Sequence, residues 1–279
     1  MYNTLNFIIF LVVITVMLAL DLGVFHKNDT KISLKNAATW TFIWIGTALL
    51  FGALIWFEQG TEKALEYYTG YLIEKMLSID NIFVMILIFS TFKIDEKYFH
   101  RVLFYGIIGA VVFRFIFIFV AAALIERFEW ILIIFGAILI YSAINMFVNR
   151  NKEASLDLEK NKIIPFFKKR NLVTSEVKNH DFFTRINGKL LITPLFLALI
   201  MIEIADVVFA VDSIPAVFGV TRDPYIVFFS NIFAILGLRS LFFIVSHIMN
   251  RFNWLKYVLI ILLLAIGIKM IAPFVLALF

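Results

Sequence analysis

Apolar residues run along this chain in eight blocks separated by polar, charged stretches. The blocks cover 5–25, 37–57, 71–92, 101–125, 131–149, 190–218, 225–248 and 256–278. A membrane-spanning helix takes about 20 mostly apolar residues, and each block is long enough. The pattern predicts an all-α, polytopic membrane helix bundle. The first block lacks a basic lead-in and a small-residue cleavage site, so it reads as a retained span rather than a signal peptide.

Lys and Arg in the connecting segments set the direction, because they resist translocation. Loop 26–36 carries Lys27, Lys31 and Lys35, whereas loop 58–70 carries only Lys63 beside Glu58, Glu62 and Glu66. The alternation persists: Lys93, Lys97 and Arg101; then Arg127; then ten bases in 150–189; then Arg222; then Arg251 and Lys256. Eighteen bases fall on one side and three on the other. The expected topology puts the N-terminus outside and loop 150–189 in the cytoplasm.

Composition agrees and removes other classes. Hydrophobic residues make up 62% of 279 residues and charged ones 16%, with a mean hydropathy of +0.96. A soluble domain of this size would lack the polar surface to stay in water. There is no Cys, which excludes disulfides, thiolate metal sites and thiol redox chemistry. The net charge of +5 reports orientation rather than nucleic-acid binding.

The chain also repeats. YLIEKMLSIDNIFVMIL (71–87) aligns with EIADVVFAVDSIPAVFG (203–219), matching Glu74 to Asp206, Asp80 to Asp212 and Asn81 to Ser213. RFIFIFV (114–120) aligns with RSLFFIV (239–245), matching Arg114 to Arg239, and RFEW (127–130) aligns with RFNW (251–254). INM (144–146) aligns with IKM (268–270), so Asn145 corresponds to Lys269. Each copy has three spans, so the copies are expected to cross the membrane in opposite senses. Such inverted repeats mark transporters with a midplane site between the copies. The expected organisation is two N-terminal helices (1–57), a first three-helix repeat (71–149), a cytoplasmic linker (150–189) with an amphipathic turn at Ile163–Phe167, and a second repeat (190–279).

Ten charged residues lie in or at the edge of spans: Asp21, Glu74, Asp80, Glu203, Asp206, Asp212, Lys75, Arg114, Arg239 and Lys269. One such group at a helix centre costs about 2.5–3.5 kcal/mol on insertion scales, and these residues are functional candidates by default. Glu74 and Asp80 are six residues apart, as are Asp206 and Asp212, which puts each pair about 120° apart on a straight helix. A helix broken near each Asp would aim both acids at one site and free carbonyl ligands. Pro215 supports a break beside Asp212. In the first copy, Ser78, Asp80 and Asn81 offer side chains that compete for backbone hydrogen bonds. Discontinuous helices at the repeat interface are therefore expected at 78–81 and around Asp212.

Carboxylates with an amide and a hydroxyl form an oxygen set, which suits Mg²⁺, Ca²⁺ or Mn²⁺ rather than copper or zinc. Glu74, Asp80, Asn81, Glu203, Asp206, Asp212 and Ser213 are the expected metal ligands. Arg114, Arg239 and Lys269 are the expected counter-charges, and Asp21 a gate. The surplus acid charge leaves room for proton exchange. Lys75 is expected to snorkel outward, and His247 to be structural.

EKMLSIDNIFV, IEIADVVFAVDSIPAVFGVTRDP, SNIFAILGLRSLFF and IGIKM resemble the TerC/Alx family of bacterial integral membrane proteins, over about Leu18 to Ile271. The resemblance implies metal-ion homeostasis at a bacterial cytoplasmic (inner) membrane. Alx-type members are linked to manganese export, related members to manganese supply for secreted enzymes, and the family name to tellurium resistance operons. Some members carry a redox-modulator label, for which a cysteine-free chain has no thiol chemistry. The acidic positions above match family positions, as do Arg114, Arg239 and Lys269. Some members have Lys where this chain has Asn145, and many carry a further hydrophobic helix beyond 278.

The expected function is secondary transport: export of Mn²⁺, with protons exchanged, through a midplane carboxylate site. No catalysis and no catalytic cofactor are expected. The partners are the lipid bilayer, Mn²⁺ and protons, without nucleic acid. One alternative is a non-transporting scaffold for metal-loading or tellurium-resistance complexes. An intramembrane aspartyl protease fits poorly, because Asp80 follows Ser-Ile and Asp212 follows Ala-Val rather than Gly-x-Gly.

Overall fold

The computed structural model describes residues 4–25, 34–148, 174, 181–186, 189–248 and 255–276. Its helices are α1 (Thr4–Phe25), α2 (Leu34–Gln59), α3 (Thr61–Thr91), α4 (Glu96–Arg127), α5 (Ile131–Val148), α6 (Pro194–Phe218), α7 (Pro224–Leu236), α8 (Leu238–Ile248) and α9 (Leu255–Leu276). A hairpin of β1 (Phe183–Ile186) and β2 (Lys189–Ile192) precedes α6. The chain is an all-α membrane bundle. Among the described residues, α2, α4, α5, α6 and Tyr257–Leu276 of α9 are long and apolar enough to cross a bilayer, and α7 with α8 makes a sixth, bent span. In α3, Glu74, Lys75 and Asp80 interrupt the apolar run.

Local chemistry sets the boundaries. Gly60 has φ 89°, a left-handed conformation that glycine adopts without a steric penalty, and the chain reverses there between α2 and α3. Asp223 caps α7 by accepting from the Tyr225 amide at 3.0 Å, with Pro224 in the first turn where a missing N–H costs nothing.

A discontinuous helix is present, but not where the acids led us to expect it. α3 runs unbroken through 78–81 and α6 through Asp212 and Pro215. In α3 there is no proline, and the Ser78 hydroxyl makes no hydrogen bond, so it does not compete with the backbone. Pro215 stands in the last turn of α6, so the one donor it withholds, from the carbonyl of residue 211, falls where the helix is about to end. The break falls instead at Gly237, where α7 and α8 meet at 43°.

The end of the segment read as a linker is ordered. β1 and β2 pair antiparallel, Phe183 with Ile192 through Ile186 with Lys189, so the block assigned to 190–218 starts as strand and becomes helix at Pro194. The Arg101 guanidinium of α4 lies 5.1 Å from the Phe182 ring centroid and docks the hairpin on the bundle. Ile163–Phe167 lie outside the described residues.

Two apolar clusters fill the interior. One is built around Phe10, Phe51, Phe229 and Phe233, with Phe10 and Phe229 centroids 4.5 Å apart. The other holds Phe89, stacked on Phe99 at 4.1 Å and edge-on to Phe242. Along α3 the change from one cluster to the other falls between Leu77 and Ile82, and along α6 between Ala205 and Ala210. Asp206 lies in that gap, and Glu74, Arg114 and Asn231 lie among residues of the first cluster beside it. α5 and α9 pack closely: a Cβ on Gly136 would lie 2.9 Å from the Gly267 carbonyl oxygen, and one on Gly267 2.9 Å from that of Gly136.

Candidate functional site

Because α3 is unbroken, Glu74, Ser78 and Asn81 stand at i, i+4 and i+7, on one face. All three are buried. On α6, Asp206, Ala210 and Ser213 repeat that spacing and are buried too. α4 brings Arg114 between these faces, and α7 brings Asn231.

These residues form one buried network. Arg114 donates through Nη2 to Asp206 Oδ1 at 2.8 Å and through Nε to Oδ2 at 3.2 Å. Nη1 donates to Glu74 Oε1 and, at 2.8 Å, to Asn231 Oδ1. Asn231 closes the ring by donating to Glu74 Oε2 at 2.9 Å. The planar fork of an arginine suits this two-sided binding. Glu74 and Arg114 are 0% exposed, so the two carboxylates and one guanidinium are held almost without water. With both acids ionised the group carries one excess negative charge. The Ser213 hydroxyl faces Glu74 without completing a hydrogen bond.

Asp80 and Asp212 do not join that ring. The helical twist turns them to other faces, where both are half-buried. Asp212 lies within electrostatic reach of Glu74 and of Asp80. Glu203 lies one turn before Asp206 with its carboxylate against α4. A Cβ on Gly109 would be 2.2 Å from its Oε1, and its Oε2 is buried without a hydrogen bond. Arg239 is buried and meets His100 Nδ1 at 2.9 Å. A guanidinium can only donate, so that nitrogen accepts. Arg239 and Asp206 line the same cavity of about 10 Å³, with Gly106 and Ala110, room for about one water.

Lys75 points inward rather than snorkelling: its Nζ donates to the Ala234 carbonyl at 3.1 Å. The end of α7 presents carbonyls that need donors, which holds it there. Lys269 donates to the Gly219 carbonyl at 3.1 Å, at the end of α6. Asn145 is exposed. The side chains of Asp21 and His247 lie outside the described residues. Among the described residues, no three His, Asp or Glu side chains are placed together as a bound metal would need.

A second polar cluster joins α3 to the α6–α7 turn. Glu66 accepts from Thr221 Oγ1 at 2.6 Å and from Lys63 Nζ at 2.7 Å, and Lys63 lies 3.8 Å from Asp223. Burial alone would lower the pKa of Lys63. The hydrogen bond and charge of Glu66, with Asp223 and Glu62, outweigh it and leave the pKa raised.

Asn231 and the inward Lys75 escaped the sequence reading. The signal for Asn231 was its place in an apolar span, where a buried amide needs partners. The repeat alignment singled out acids and bases and passed over it.

The description of the TerC family of integral membrane proteins matches residues 59–277. The chain belongs to the TerC family. Similar TerC-like relatives cover nearly the whole chain. It is 46% identical over 261 residues to the uncharacterized membrane protein STKORF319 of Myxococcus xanthus, covering 94% of this chain and 81% of that one. It is 46% identical over 265 residues to a membrane protein of Rickettsia felis, covering 95% and 87%. It is 44% identical over 271 residues to Alx of Salmonella typhi, named as a candidate membrane-bound redox modulator, covering 94% and 84%. No solved structure matches. In this TerC member the network is a buried pair of carboxylates filled by a tethered cation, Arg114.

Proposed function

We propose that this chain is a secondary transporter that exports Mn²⁺ across the bacterial inner membrane in exchange for protons. The observation that carries this reading is the single guanidinium of Arg114 shared by Glu74 and Asp206. Those two acids come from the two aligned segments, and in a buried site they require a cation. Arg114 fills that place here. When Mn²⁺ arrives, Glu74 and Asp206 exchange Arg114 for the metal, and Asp80, Asn81, Glu203, Asp212 and Ser213 contribute to its passage. Asp212, half-buried and close to both Glu74 and Asp80, fits an approach position. Arg239 balances charge once Arg114 is released, Lys269 holds the end of α6, and Asp21 gates the entrance. The aligned segments act as inverted repeats about this site.

Oxygen donors of this kind suit Mn²⁺, Mg²⁺ and Ca²⁺; the manganese assignment leans on the family. The redox role in the Alx name has no thiol to act through in a chain without Cys.

The test is Mn²⁺ uptake into proteoliposomes, read by a manganese-quenched dye. Wild type should transport, and Glu74→Gln and Asp212→Asn should each lose at least tenfold in rate. Protein-free rates from folded wild type would overturn the reading and leave a scaffold, which keeps partner binding with its acids neutralised. Orientation has its own test, since engineered cysteines are the only thiols. Glu62→Cys and Arg222→Cys should react with an impermeant maleimide in intact cells, and Lys97→Cys only after permeabilisation.

A further inference from the structure

The break at Gly237 ends α7 inside the bundle. The last carbonyls of a helix have no intrahelical donors, and that end carries partial negative charge. In transporters built on broken helices, such ends and their freed carbonyls bind the coupling alkali cation. Here an ammonium group is already there. Lys75 Nζ sits 3.1 Å from the Ala234 carbonyl oxygen and 2.8 Å from where a Cβ on Gly237 would lie. The glycine thus leaves the space that the ammonium fills. Among the described residues Lys75 makes no ion pair, so the carbonyl end is its partner. Lys269 also meets a helix end, but on an exposed residue that water can serve.

We infer that Lys75 is a tethered cation occupying an alkali-cation site at the α7–α8 break, and that this protein therefore works without sodium. The site itself is independent of the manganese reading; only the consequence for flux rests on it. Removing the side chain leaves the Ala234 carbonyl at the end of α7 without its ammonium donor, and a free Na⁺ can take that place.

The direct test is thermal unfolding of purified wild type and Lys75→Ala in sodium chloride against choline chloride at equal ionic strength. Lys75→Ala should show a saturable rise in Tm with sodium of roughly 2–4 °C. Wild type and Lys75→Arg should show none. A Lys75→Ala protein indifferent to sodium, or a wild type stabilised by it, overturns the inference. If Lys75→Ala does not fold, wild-type Mn²⁺ flux decides: equal rates in sodium and choline media support the inference, and a rate that follows the sodium gradient overturns it. Absence of any flux would count against the transport reading alone, and the inference is then judged on wild type: a Tm equal in sodium and choline supports it, and a Tm raised by sodium overturns it.

Discussion

Asn231 donates its amide to Glu74 across 2.9 Å, joining two helices 157 positions apart in sequence. The same carboxamide accepts from Arg114, so one neutral side chain satisfies both members of a buried ion pair. Asn231→Leu should leave the Glu74 oxygen and an Arg114 donor unsatisfied. A buried polar group stripped of its partner costs about 1–3 kcal/mol, read as a lower Tm in detergent. A Tm equal to wild type would mean that water has replaced the amide.

Arg114 tests whether the charges hold the helices or serve transport. Arg114→Met alone strands two carboxylates in the interior, and breaking a buried pair costs about 3–5 kcal/mol. Adding Glu74→Gln and Asp206→Asn removes the stranded charge and should recover most of the Tm. Manganese flux should stay absent in the recovered protein. Recovered flux would show that the network is architecture only.

Much of the fold was legible because membrane helices announce themselves by length and hydropathy: α2, α4, α5 and α9 begin and end within a few residues of their apolar blocks. The site was legible in part. The cost of burying Glu74, Arg114 and Asp206 marked them in the sequence, and the structure places these three together. What failed was the inference from spacing to backbone. Six-residue spacing suggested that the helices must break to gather their acids, but unbroken helices split the set, with Glu74 and Asp206 on Arg114 and Asp80 and Asp212 elsewhere. The Gly237 break was hidden because one glycine in an apolar run gives little sign of a bend. The hairpin had a signal that went unused: Asn187-Gly188 between short runs of β-prone residues.

The Lys63 cluster makes a prediction about pH. A lysine whose folded pKa is raised contributes stability that is complete below its unfolded value and is lost as pH rises through the folded one. For Lys63 that window opens only above the ordinary value of 10.5. Wild type should therefore be more stable than Lys63→Met by a constant margin from neutral to mildly alkaline pH, closing only at higher pH. Paired Tm measurements across that range check it, and a margin that closes near pH 8 would contradict the ion pairs seen with Glu66 and Asp223.

Gly109 and Glu203 should behave as a coupled pair. A methyl group at Gly109 would fall 2.2 Å from one carboxylate oxygen of Glu203 and 2.5 Å from the other. The obstructed atoms are the far end of a flexible side chain, so Gly109→Ala should displace Glu203 rather than unfold α4. Alanine also favours a helix over glycine by up to about 1 kcal/mol. In a Glu203→Ala background that gain has nothing to oppose it, and Gly109→Ala should raise Tm. In wild type the gain is offset by evicting a carboxylate from its seat, and Tm should stay flat or fall. The difference between the two effects, read from a double-mutant cycle, measures how firmly Glu203 is held beside Asp206. Additive effects would mean that the carboxylate does not rest on Gly109 in the folded protein.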